Sequence, residues 1–184
     1  WQFNQANDCM IGGFVWEWCD HAIYKGKAPN GKDMYWYGGD HGEYPHDGNF
    51  CIDGLIGPDR QGTAQLQELK KVHENIVVRF DTENQQMYIR NRFPHTTLDG
   101  YELVYKLLAD GAGQLEGKCD LTGIGPGETG IRQYQLPDEL PEGELVLSVS
   151  IRAVQETMWC GAGHEIAWAE VRLRAAQADK LCAE

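Results

Sequence analysis

Between Gly38 and Gly54 the chain crowds Asp40, His41, Glu43, His46, Asp47 and Asp53 into one stretch, a dense set of oxygen and nitrogen donors. A transition metal needs three or four such side chains converging at a fixed spacing. No compact zinc pattern is present, and His41-Gly42-Glu43 lacks the downstream Pro-Cys-x-x-Cys of the zinc deaminases. A hard cation held by carboxylate and carbonyl oxygen suits these donors better. Two carboxylates about 5 Å apart would serve a retaining cleavage of a glycosidic bond, but spacing alone selects no pair. Beside these stands the plain reading of a polar loop that satisfies its own backbone.

A second group lies upstream, in the nearly continuous apolar run from Met10 to Trp18. On a strand, Trp16, Trp18 and Asp20 share one side and Val15, Glu17 and Cys19 the other. Trp16 is then either a platform for the apolar face of a substrate or a core filler. Glu17 is either an acid or a hydrogen-bonded structural group. The chain has no Gly-x-Ser-x-Gly elbow and no phosphate loop. Asp110-Gly-Ala-Gly113 reads as a hairpin turn, because no helix follows it.

The elements that must position these groups fall into two parts. In the first, the run to Trp18 reads as a strand buried on both faces of a parallel sheet. The glycines and proline of residues 38–49 make a long irregular loop. Thr63 is an N-cap candidate for a helix over 63–74, whose Leu66, Leu69 and Val72 share a face. After residue 75, alternation and turn spacing predict seven strands at about 76–82, 86–93, 101–109, 114–119, 130–135, 143–154 and 164–174, a β-sandwich. Asp99-Gly100, Asp110-Gly111, Pro126-Gly127 and Glu142-Gly143 supply turns between them. The sandwich is immunoglobulin-like in architecture only, since no Cys…Trp…Cys pattern occurs, and residues 176–184 read as a linker or tail.

Composition narrows the partners. The 184 residues carry 16 Lys and Arg against 28 Asp and Glu, a net charge of −12, with 42% hydrophobic residues. That balance excludes a disordered tail, a collagenous segment and a membrane span, and the scattered cations argue against nucleic acid. None of the six cysteines forms a Cys-x-x-Cys pair. They read as free, mostly buried thiols of a reducing compartment, hence a cytoplasmic protein.

Three ordered motifs carry a resemblance: GGFVWEWCDHAI (12–23), YGGDHGEYPHDGNFCIDGLIGPDR (37–60) and ELKKV (68–72). Together they closely resemble glycoside hydrolase family 2 β-galactosidases of the long, multi-domain type. MYIRNRF (87–93), LADG (108–111) and GHEIAW (163–168) look like the sandwich that follows the barrel in that family. The resemblance implies an α+β internal piece: the last strand and helix of a (β/α)8 barrel over 1–75, then an immunoglobulin-like all-β sandwich over 76–175. Trp1–Asn7 would end the seventh barrel helix, Phe14–Trp18 would be the eighth strand, and 63–74 the last helix.

It further implies a retaining enzyme that removes terminal β-galactosides such as lactose, with both catalytic glutamates upstream of Trp1, so that this piece alone is inactive. Its apolar strand should then be exposed or paired elsewhere. Trp16 matches the tryptophan lining the galactose pocket, and the Trp16–Glu17 peptide is expected to be cis. Phe50 matches a residue whose carbonyl binds sodium. Asp53 takes the place of a side-chain ligand to sodium and to the galactose 6-hydroxyl, where some members have asparagine. Asp47 matches an acidic position that orders the loop, while His41 and His46 depart from the family pattern and stay at the pocket rim. The implied partners are a galactoside, the remainder of a parent chain, magnesium bound through residues outside this sequence, and further copies in a homo-oligomer, with no nucleic acid and no membrane. The alternative is a stand-alone sandwich module that binds carbohydrate or serves as a scaffold, with Trp159 and Trp168 as stacking platforms.

Overall fold

The computed structural model describes residues 1–176, so the expected linker or tail lies, from residue 177 on, outside the described residues. Among the described residues the protein is mostly β-sheet with few helices. It divides into two compact units between His73 and Glu74. No helix among the described residues is long and apolar enough to cross a membrane.

In the first unit, a short helix α1 (Gln2–Ala6) precedes the apolar run. The expected strand over Phe14–Trp18 does not form as a regular strand, which corrects the reading from sequence. A strand of a parallel sheet hides its apolar side chains against neighbours on both sides, and among the described residues this one has a neighbour only at its end. Ile11 and Phe14 are accordingly fully exposed, at 105% and 102%, as expected for an apolar strand without its sheet. At its end the run does pair. Leu55 N donates to Glu17 O (3.0 Å), Ile56 N to Trp18 O (3.0 Å) and Asp20 N to Ile56 O (3.1 Å), which makes Cys19 and Ile56 a parallel bridge.

Two antiparallel strands follow, β1 (Ile23–Lys27) and β2 (Asp33–Trp36). This hairpin was not anticipated, although Asn30-Gly31 is a strong turn signal between two β-prone runs. The Asn30 side chain accepts the Lys32 N–H at 3.1 Å and Gly31 N donates to Ala28 O. Helix α2 (Ala64–Val72) sits where expected. Thr63 is at its N-cap but does not cap through its side chain: the hydroxyl donates to Leu55 O at 2.6 Å, tying the helix start to the 53–56 segment. Leu66 and Leu69 are half-buried, whereas Val72 is exposed.

The second unit holds β3 (Ile76–Asp81), β4 (Gln86–Asn91), β5 (Tyr101–Ala109), β6 (Ala112–Asp120), β7 (Thr129–Gln133), β8 (Leu145–Ala153) and β9 (Glu165–Arg174). Each boundary lies within about two residues of the one read from sequence. Sheets of order β3-β4-β7 and β6-β5-β8-β9, antiparallel throughout, share one core. Strand β8 shows why: Leu145, Leu147, Val149, Ile151 and Ala153 are buried and every intervening residue is half-buried. Met87 and Ile89 meet Leu103, Leu147 and Ile151 across the sandwich, all completely buried.

The connections are built as their residue types require. Asp110 and Gly111 both take positive φ (48° and 79°) in the two-residue hairpin between β5 and β6. At Pro126-Gly127, Glu128 N closes the turn on Gly125 O at 3.1 Å. Asn91 is the buried polar residue of this core. Its amide donates to Thr96 O (2.8 Å) and Gly125 O (2.9 Å), and its side-chain oxygen accepts Phe93 N–H (2.9 Å), so one side chain fastens two connecting segments.

The cysteines described are all free, but only Cys19 and Cys160 are buried. Cys51 and Cys119 are half-buried and Cys9 is exposed, so "mostly buried" needs correcting. Cys182 lies outside the described residues.

Candidate functional site

The first unit gathers its candidate residues around the parallel pairing of 17–20 with 53–56. Trp16 is 76% exposed, with its indole in solvent rather than in a core. The Trp16–Glu17 peptide is cis, as the resemblance implied. Glu17 N faces Asp53 O at 3.5 Å and Leu55 N binds Glu17 O, so backbone contacts on either side of Gly54 link the indole-bearing segment to the one carrying Asp53. Gly54 permits this approach. A Cβ there would meet Asp20 N at 2.3 Å and the Cys19 carbonyl carbon at 2.5 Å. Asp20 adds a side-chain bond by accepting Gly54 N–H at 2.8 Å.

Glu17 points to structure rather than to acid chemistry. Its carboxylate lies 2.9 Å from His21 Nε2 with little exposure, and His21 N donates to Cys51 O at 2.9 Å. Phe50 belongs to a 3-10 turn (Gly48–Cys51), where its N–H donates to Asp47 O at 3.2 Å; its ring is 69% exposed. Asp47 is thus bonded to the turn through its backbone, and its side chain makes no capping bond there.

The oxygen- and nitrogen-rich loop is organised by Glu43. Gly39 N–H binds one carboxylate oxygen (2.6 Å) and His41 N–H the other (3.0 Å), so the Gly39 bond first, and the others after it, hold this carboxyl below its usual range. His46 Nδ1 accepts Gly48 N–H at 3.2 Å. Three of the donors are therefore turned inward on their own loop: Glu43, His46 and Asp40, which accepts Tyr37 N–H at 2.9 Å. Among the described residues, no three His, Cys, Asp or Glu side chains gather as a metal cluster. The Asp53 carboxylate differs, because no hydrogen bond or ion pair engages it among the described residues. With the Phe50 carbonyl it offers hard oxygen donors, a chemistry that fits an alkali or alkaline-earth cation.

Sequence reasoning missed the residues around Trp36. Lys25 Nζ lies 3.8 Å from the centre of its ring, and His41 meets it edge-on at 5.0 Å. This gives His41 a contact that composition alone did not reveal. Arg60, at positive φ (65°), donates to the buried Cys19 thiol.

The family model "Glycosyl hydrolases family 2, TIM barrel domain" matches residues 1–78, and "Beta-galactosidase, domain 4" matches residues 87–174. A beta-galactosidase of Actinobacillus pleuropneumoniae is 38% identical over 181 residues, 94% of this chain and 16% of that protein. One from Clostridium acetobutylicum is 34% identical over 164 residues, 86% and 17% respectively. One from Priestia megaterium is 30% identical over 179 residues, 95% and 17%. The chain spans about one sixth of the length of the curated relatives it matches.

Proposed function

This chain belongs to the glycoside hydrolase family 2 β-galactosidases, and from that premise we propose that it is part of a retaining enzyme that hydrolyses terminal non-reducing β-D-galactosides such as lactose. In this reading residues 1–75 close the catalytic barrel and 76–175 form the sandwich that follows it in the chain, with the catalytic glutamates elsewhere in the parent. The observation that carries the proposal is the exposed Trp16 indole fastened, through the backbone around Glu17, to the segment of the unpartnered Asp53 carboxylate. A sugar offers an apolar C–H face and polar hydroxyls, and an indole beside an oxygen donor answers both.

Trp16 would pack under the galactose ring. Asp53 would accept from the 6-hydroxyl and, with the Phe50 carbonyl, hold a sodium ion, which would supply a fixed positive charge to orient hydroxyl oxygens. Asp47 would keep the 3-10 turn in register. Magnesium would bind through residues outside this sequence. A cytoplasmic homo-oligomer is the setting implied by the family.

The test is substrate discrimination by the complete enzyme. With Asp53 in place, kcat/KM for a nitrophenyl β-galactoside should exceed that for its 6-deoxy analogue by about tenfold or more, because a site built to bond a hydroxyl rejects the analogue lacking it. In Asp53→Ala that ratio should fall toward one. An unchanged ratio removes Asp53 from the pocket.

A further inference from the structure

Outside that site, the loop end of the sandwich contains a hollow of about 500 Å³ lined by Thr96, Asp99, Tyr101, Gln155, Glu156 and Trp159, among others. Trp159 is 65% exposed, yet its position is fixed. The Thr157 hydroxyl accepts Cys160 N–H (3.2 Å) and Trp159 N–H (3.4 Å), Thr157 N donates to Cys160 O (2.8 Å), and Cys160 is buried beneath the turn. His164 meets the indole edge-on at 6.0 Å. The result is an apolar plane presented to water on an anchored loop.

The polar groups beside that plane are available. Among the described residues, the side chains of Thr96, Gln155 and Glu156 make no hydrogen bond. Asp99 is occupied by Thr97 and Gly123, so it shapes the wall instead of binding. Tyr101 stacks on Phe93 at 6.2 Å, and burial pushes its phenol above the ordinary value. Among the described residues no lysine or arginine lines the hollow, which disfavours phosphate, sulfate or uronate ligands. An aromatic face flanked by an amide, a carboxylate and hydroxyls is the chemistry that recognises an uncharged sugar ring.

We propose that this hollow is a second carbohydrate subsite, distinct from the Trp16 site, that takes a neutral mono- or disaccharide unit on the Trp159 indole, with Gln155 and Glu156 bonding its hydroxyls. The inference stands independently of the galactose-pocket proposal, since it uses no residue of the first unit.

The 15N-labelled 184-residue chain is titrated with lactose and with cellobiose while the indole N–H cross-peaks are followed, assigned with Trp159→Ala and Trp16→Ala. A saturable shift of the Trp159 peak is expected that persists in Trp16→Ala. It should weaken about tenfold in the Gln155→Ala/Glu156→Gln double variant, the scale of losing a charged-group hydrogen bond. No saturable Trp159 shift with either sugar overturns the proposal. So does undiminished affinity in the double variant, whose substitutions lie on an exposed loop and whose fold the remaining indole peaks report. A saturable shift confined to the Trp16 peak likewise overturns this subsite while supporting the first site, so the two readings fail separately.

Discussion

At the residue scale, two fully buried side chains of the sandwich make opposite predictions. Asn91 satisfies two backbone carbonyls and a backbone N–H. Asn91→Ala strands all three in the core, and urea unfolding should show a loss of about 2–4 kcal/mol. Tyr134 is almost as buried, but among the described residues its hydroxyl has no partner. Burial of an unpaired hydroxyl costs free energy, so Tyr134→Phe should leave the unfolding midpoint unchanged or raise it. A marked loss in Tyr134→Phe would reveal a hydrogen bond that the structure does not show. Neither role was legible in the sequence. Asn91 falls on the same strand face as Ile89 and Phe93, where an apolar residue is expected, and its bond to Gly125 O joins a segment that only the tertiary fold brings near. Trp16 and Asp53, by contrast, are proposed as a pair only through three motifs taken together, because a lone indole or a lone carboxylate has an ordinary structural explanation.

At the element scale, the sandwich strands could be read from sequence because alternation is a local property: each strand of two packed sheets records its own buried face every second residue. The Phe14–Trp18 strand could not be confirmed in the same way, because its apolar character describes neighbours that the described residues do not provide. The β1–β2 hairpin was overlooked for another reason: its strands are short and mostly exposed, leaving Asn30-Gly31 as the one strong signal. The element on which the site depends is the short parallel ladder at Cys19 and Ile56. Gly54→Ala places a Cβ against the Asp20 and Cys19 backbone, so one strand must move away. Amide hydrogen exchange at Leu55 and Ile56, which donate to Glu17 and Trp18, should then speed up while β5 and β8 keep their protection. Unaltered exchange at Leu55 and Ile56 would mean that the ladder does not hold the segment.

At the scale of the whole molecule, acid should weaken the fold in a defined direction. Hydrogen bonds or an ion pair hold four sandwich carboxyls below their usual range: Asp81 by the Asn84 amide, Asp99 by Gly123 N–H, Asp120 by the Thr122 hydroxyl and Glu116 by Lys106. A carboxyl whose folded value is depressed adds stability above its unfolded value and loses it as pH falls through the folded one. The urea midpoint should therefore be flat near neutrality and decline below about pH 4, where unfolded carboxyls take up protons first. A midpoint that rises on acidification would contradict those bonds. The net charge of −12 passes through zero near pH 4.9 and turns positive below it, so growing repulsion between cations adds to the loss of the specific bonds over that range. Above stability stands the claim that this chain lends an indole shelf and an oxygen ligand to a galactoside pocket completed elsewhere. The most direct measurement is kcat/KM for a nitrophenyl β-galactoside in the complete enzyme carrying Trp16→Ala. A fall of about tenfold or more, with the fold intact by circular dichroism, is the result the account predicts; an unchanged kcat/KM would contradict it.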